Sequence, residues 1–143
     1  MAKREKIVIG RKEIVDFPEL NLWGVPAKVD TGADTSSIHV RKLKLEKKGD
    51  TAVLTCYFGP RHKATFTTFD QTMVKSSNGI KQTRYVVKLQ LNVFGREFET
   101  EFTLSDRKSM TFPVLLGKKF LRKRFVVDVS LSNLSQKNKL IIL

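Results

Sequence analysis

Apolar and polar residues alternate along much of this chain with a period of two, the mark of strands that bury one face. Over residues 84–93, Tyr85, Val87, Leu89, Leu91 and Val93 fall on one side. The chain turns at Phe94-Gly95-Arg96 into residues 97–104, where Phe98, Phe102 and Leu104 continue the pattern. Further short runs at 6–9, 13–17, 25–30, 37–40, 51–58 and 63–69 are bounded by turn signals. These signals are Pro18-Glu19, Gly49-Asp50, Gly59-Pro60-Arg61-His62 and Ser76-Ser77-Asn78-Gly79. Asn78-Gly79 is the preferred pair for a two-residue hairpin turn, and places a hairpin over about residues 72–84. One helix is expected over 117–124, with strands at 125–129 and 139–143 after it. No internal repeat interrupts the series. The pattern predicts an all-β barrel or sandwich.

The apolar strand before residue 30 ends in Asp30-Thr31-Gly32, followed by Ala33, Asp34, Thr35, Ser36 and Ser37. Adding water to a peptide carbonyl needs an acid and a base that can exchange roles. Two carboxylates sharing one proton provide both, because they cannot both ionise at short range. One Asp-Thr-Gly in 143 residues supplies half of such a pair, and a second copy of the chain would supply the rest. The tripeptide by itself also makes an ordinary turn. A second element strengthens the catalytic reading: an apolar run, Phe112-Pro113-Val114-Leu115-Leu116, ends in Gly117 and leads into helical character.

Asp-Thr-Gly after one strand, with a hydrophobic-hydrophobic-Gly near the C-terminus, resembles the retropepsin-like aspartic peptidases. The resemblance covers nearly the whole chain. It is closest to the bacterial family that goes by the name ATP-dependent zinc proteases and is associated with glutamate ligases acting on a ribosomal protein. Residues 9–13, 17–20, 27–39, 84–87 and 104–117 carry it. It implies a single domain over residues 1–143, a retropepsin-like closed barrel with one short helix near the C-terminus. It assigns Asp30, Thr31 and Gly32 to the catalytic loop, with the Thr31 hydroxyl bonding to the partner chain. Ala33, Asp34, Asn78, Gly79, Leu116 and Gly117 fall to substrate binding, and the Asn78-Gly79 hairpin to the flap. Lys118 stands where retroviral enzymes carry arginine, so a pair with Asp34 would lack arginine's two-pronged geometry.

The chain has 27 Lys and Arg against 14 Asp and Glu, a net charge of +13. Such a field favours anionic partners, and it also solubilises a surface with no specific partner. The basic residues spread over 3–12, 42–48, 118–124 and 137–139, and none of these clusters interleaves with a stacking aromatic platform. An acidic polypeptide or a ribosomal setting therefore fits better than sequence-specific nucleic-acid recognition. Residues 118–124, with Lys118, Lys119, Arg122, Lys123 and Arg124, are expected to face the cleft. Too few apolar residues precede Gly10 for a signal core, and no run reaches membrane-span length, so a cytoplasmic protein away from membranes is expected.

The soft ligands His39, His62 and Cys56 form neither His-Glu-x-x-His nor Cys-x-x-Cys, and no phosphate-binding glycine loop is present. No metal, nucleotide or other cofactor is expected. Cys56 reads as a small buried hydrophobe, and His39 as a packing or hydrogen-bonding residue. Two functions follow. One is a homodimeric aspartic endopeptidase acting on a polypeptide, in particular an acidic or glutamylated one. The other is a catalytically silent module of the same fold that binds an acidic peptide or a ribosomal component.

Overall fold

The computed structural model describes residues 5–75 and 78–143. Lys3, Arg4, Ser76 and Ser77, which figured in the basic stretch and the hairpin expected above, lie outside them. Six strands close into a barrel: β2 (Lys12–Phe17), β3 (Leu22–Val29), β11 (Val114–Leu116), β4 (Ser36–His39), β10 (Arg96–Ser105) and β9 (Lys81–Val93), which returns to β2. Closure removes the exposed edges that an open sheet would carry. The long β9–β10 hairpin matches the alternation of the sequence, with Val93 opposite Arg96 and Val86 opposite Thr103. Phe94 and Gly95 both take positive φ at its tip, the twist a two-residue hairpin requires. Phe94 is held in that conformation by donating its amide to Ser135 Oγ at 2.8 Å.

Beyond the barrel, β8 (Asp70–Lys75) pairs with β9 as a projecting hairpin, Thr72 opposite Arg84 and Lys75 opposite Lys81. A separate three-stranded sheet comprises β5 (Lys42–Lys48), β6 (Thr51–Gly59) and β7 (His62–Phe66). β1 (Ile7–Ile9) runs parallel to β12 (Phe125–Val127). Inside the barrel the inward residues of facing strands meet, with Phe17 and Phe102 edge to face at 5.5 Å. Phe98, Phe120 and Phe125 make a second aromatic group between the barrel and the C-terminal segment. Each fully buried ring stabilises the fold by about 2–3 kcal/mol before entropy is counted.

Two elements differ from expectation. The helix over 117–124 is a single turn, α1 (Lys118–Leu121). Lys123 takes a φ of 68°, which ends helical geometry, and Phe125 already belongs to β12. The strand expected at 139–143 reduces to one bridge between Ile7 and Ile142, with Lys6 and Leu143 exchanging amide hydrogen bonds beside it.

Candidate active site at the Asp30 loop

The loop between β3 and β4 carries Asp30, and β11 lies between those two strands, parallel to β3 and antiparallel to β4. The two sequence elements that carry the resemblance are thereby laid side by side. The Asp30 amide donates to Leu116 O at 2.9 Å, and Asp30 O accepts from the Ala33 amide at 3.3 Å. One carboxylate oxygen, Oδ1, accepts the Gly32 amide at 2.9 Å. A Cβ on Gly32 would stand 3.3 Å from that same oxygen, so glycine here keeps the carboxylate uncrowded. Asp30 is half-buried, with Thr31 and Gly32 exposed beside it.

Gly117 locks the loop from behind. Its amide donates to Ser36 Oγ at 3.0 Å. The next two amides, of Lys118 and Lys119, donate to Ala33 O at 2.7 Å and Asp34 O at 2.9 Å. Lys118 Nζ then reaches Asp34 Oδ1 at 3.1 Å. The hydrogen bond and charge of Lys118 hold the Asp34 carboxyl below its usual value. Asp34 is fully exposed, so water screens this pair and its energetic weight is small.

A cleft of about 450 Å³ opens between this loop and β8. Ala33, Asp34 and Thr35 line one side, and Thr72, Met73, Val74 and Lys75 the other. The hairpin expected to act as a flap therefore faces residues 33–35 of the loop, while Asp30, Thr31 and Gly32 do not line this cleft. Neither Asn78 nor Gly79 is among the residues that line the cleft, and Asn78 Oδ1 accepts the Ile80 amide at 3.4 Å. Leu115 lines the cleft, whereas the side chain of Leu116 is buried in the core and only its carbonyl serves the loop.

Arg84 and Arg107 complete the cleft wall. Burial and then the like charge of Arg84 hold Arg107 below the usual arginine range, while the charge of Asp30 works in the opposite sense. Arg107 is fixed in place by two bonds. Its amide donates to His39 Nδ1 at 2.8 Å, and its Nε donates to Phe112 O at 3.1 Å. Since Nδ1 accepts that bond, it carries no proton, and its 3.9 Å approach to Asp106 Oδ1 is no ion pair through that atom. Neither arginine stood out by composition, although both fall in segments that carry the resemblance.

The basic run at 118–124 does not line this cleft. Lys119 reaches toward Glu101 at 3.8 Å, and Arg124 lies over the rings of Phe98 and Phe120. Lys118 and Arg122 instead border a shallow hollow of about 260 Å³ shared with Thr31. For a metal, the donors are scattered: Cys56 is buried on β6, His39 is committed to Arg107, and His62 opens β7. Among the described residues no group of three or more His, Cys, Asp or Glu could hold an ion. Among the described residues, those present thus do not fit the zinc in the name of the family that the sequence resembles.

Several known proteins are similar to this chain. A probable alpha-L-glutamate ligase from Desulfotalea psychrophila is 30% identical over 133 residues, which are 88% of this chain and 29% of the ligase. One of the same description from Shewanella halifaxensis is 33% identical over 132 residues, 87% of this chain and 29% of that protein. The chain spans less than a third of the length of these relatives. The crystal structure of a Legionella pneumophila protein of unknown function matches with a TM-score of 0.67 at 25% identity, covering 90% of this chain and 97% of that one. The description "Retropepsin-like aspartic endopeptidase RimB" matches residues 8–138, and on that match the chain belongs to the RimB-like family of retropepsin-like proteins.

Proposed function

We propose that the protein is an aspartic endopeptidase that works as a homodimer, each copy contributing one Asp30 to a dyad that shares a proton. The observation that carries this reading is the tethering of Asp30. Its amide is fixed to Leu116 O and its Oδ1 to the Gly32 amide, and the loop borders a cleft covered by a hairpin. A carboxylate held in this way keeps its position while a second one is brought against it. In this reading the hydroxyl of Thr31, exposed next to Asp30, bonds to the partner's loop.

In the reaction the ionised carboxylate takes a proton from water, whose oxygen bonds to the scissile carbonyl carbon. The protonated carboxyl gives its proton to the carbonyl oxygen. In the collapse of the resulting gem-diol the C–N bond breaks, the nitrogen leaves with the proton taken from water, and the other carboxylate takes back a hydroxyl proton, which restores the dyad's single proton. The hairpin formed by β8 and the start of β9 opens for substrate and then excludes water.

Charge and the relatives support the choice of substrate class. The chain carries +13, and its relatives are described as probable alpha-L-glutamate ligases. An acidic, glutamylated polypeptide, the kind of product such a ligase makes, is the substrate this reading assigns. A ribosomal protein is the setting it favours. Cleavage of glutamate-rich peptides by the parent and by Asp30→Asn tests it. The variant should fold normally and lose at least ~100-fold in rate, the lower range for removing an acid–base group. Undiminished cleavage in the purified variant would remove Asp30 from the reaction.

A further inference from the structure

The cleft beside the Asp30 loop is cationic in a way the basic run at 118–124 is not. Arg84 and Arg107 line its wall together with Lys75, which shares the β8–β9 hairpin with Arg84. Its one lining carboxylate, Asp34, is already engaged by Lys118 at 3.1 Å. Among the described residues no ion pair involves Arg84 or Arg107, so both guanidiniums keep donors for an incoming group. Arg84 also lines a second cavity of about 430 Å³ with Arg41, Lys42 and Lys108, where the one carboxylate, Asp106, lies 4.0 Å from Lys108 Nζ. One arginine is therefore shared between two neighbouring hollows, each with further cations.

A planar guanidinium presents donors in a fork that fits a carboxylate, and a partly buried one binds more strongly than one in open water. Two such groups in like-charged proximity disfavour an empty cleft and favour one filled by an anion. We propose that Arg84 and Arg107 are the specificity-determining residues of this cleft, reading side-chain carboxylates of the bound peptide. Arg84 extends that reading into the adjoining cavity, so that acidic residues in succession are preferred over a single one. The proposal rests on the peptidase reading only for its substrate; the binding site stands on the lining residues themselves. His39 acts here as a positioning residue, holding the Arg107 backbone through Nδ1.

The test measures binding separately from cleavage. In an Asp30→Asn background, titrate hexaglutamate and hexaglutamine by fluorescence anisotropy at low and physiological salt. Hexaglutamate should bind at least about tenfold more tightly, and Arg84→Gln or Arg107→Gln should each remove about tenfold of that preference while leaving hexaglutamine unchanged. Arg84→Lys should recover only part of the preference, since the ammonium lacks the fork. Lys123→Gln and Lys139→Gln, which lower the net charge equally, should leave it intact. Arg107 also holds Phe112 O, so its variant is accompanied by a melting curve. Arg84 makes no side-chain hydrogen bond among those described, and its variant gives the cleaner result. Equal affinity for the two peptides, or equal losses from the lysine controls, would overturn the proposal. Arginine-dependent binding without cleavage by the parent would uphold the site and sink the peptidase reading. Asp30-dependent cleavage of glutamate peptides that ignores Arg84 and Arg107 would do the reverse.

Discussion

The Cβ that Gly117 lacks would lie 2.8 Å from the carbonyl oxygen of Ala33, closer than real side chains come to backbone. That approach joins the loop of the first sequence motif to the glycine of the second. It also puts the Lys118 amide within 2.7 Å of the same oxygen. A methyl group here would meet Thr35 backbone as well, at 2.9 Å to its carbonyl carbon. No flexible side chain is available to move aside.

Gly117→Ala should therefore destabilise the protein by roughly 1–3 kcal/mol, the usual cost of overpacking a tight site. It should also push the Asp30 loop away from β11, so that any hydrolytic rate falls more than the loss of folded protein explains. Urea denaturation, with rates corrected for the folded fraction, measures both. Parent-like stability would mean that the loop and α1 can separate at little cost.

The bond between Asp34 and Lys118 makes a pH prediction. Its folded carboxyl lies below the ordinary 3.8, with Lys118 as the main cause. A depressed carboxyl contributes stability above its unfolded value and loses it as pH falls through the folded one. Carbon-13 titration of the Asp34 carboxyl should show a midpoint below 3.8 in the parent and a rise in Lys118→Met. The accompanying change in stability should be slight, because the pair is exposed. No movement of the midpoint would show that the ion pair does not form in solution.

Burial of Cys56 on β6 pushes its thiol from an ordinary 9.0 up to about 12. The unfolded thiol loses its proton first, so between those values the folded chain binds more protons than the unfolded one. Stability should consequently fall as pH rises across that window. Comparing the parent with Cys56→Ala at matched pH isolates the contribution, and the gap between them should narrow toward high pH. Alkylation by iodoacetamide at neutral pH should be slow until denaturant is added.

Glu13 is fully buried on β2, where it accepts the amides of Gly10 at 3.0 Å and Ser135 at 3.0 Å. It ties the N-terminal strand to the C-terminal segment. Glu13→Ala leaves one buried and one part-buried donor without partners and should cost on the order of 2–4 kcal/mol. Glu13→Gln keeps one acceptor oxygen and should cost less. Thermal melts of both variants give the order, and equal melting temperatures would refute it.

The strands were legible where alternation was clean, as in β9 and β10, because packing one face of a sheet forces a period of two. Phe94-Gly95 marked a hairpin through the positive φ that a two-residue turn demands. At Asn78-Gly79 it is Gly79 that takes positive φ, and the last pair, Lys75 with Lys81, leaves a longer connection than the two residues expected. The helix was overextended because Lys118 to Arg124 contains good helix formers, while the strand pairing of Phe125 with Ile7 outweighs their propensity. Tertiary context decided it. The same limit hid the cleft arginines: Arg84 sits on β9 and Arg107 just past β10. Only the pairing of those strands, and the bond from His39, brings them to one wall. Charge density along the sequence pointed to residues 118–124, whereas side chains there are spent on Asp34, Glu101 and two phenyl rings. Glu13 left a trace, since it shares the inward face of β2 with Val15 and Phe17.

The placement of β11 between β3 and β4 has a consequence for timing. Asp30 cannot gain its bond to Leu116, nor Ala33 its bond to Lys118, until the chain through residue 118 has been synthesised. Contacts between such distant segments require closing a long loop before they stabilise anything, which slows folding compared with structures built from local contacts. The barrel and the Asp30 loop are thus completed together and late. The geometry around Asp30-Thr31-Gly32 is absent from a nascent chain until Gly117 and Lys118 are in place.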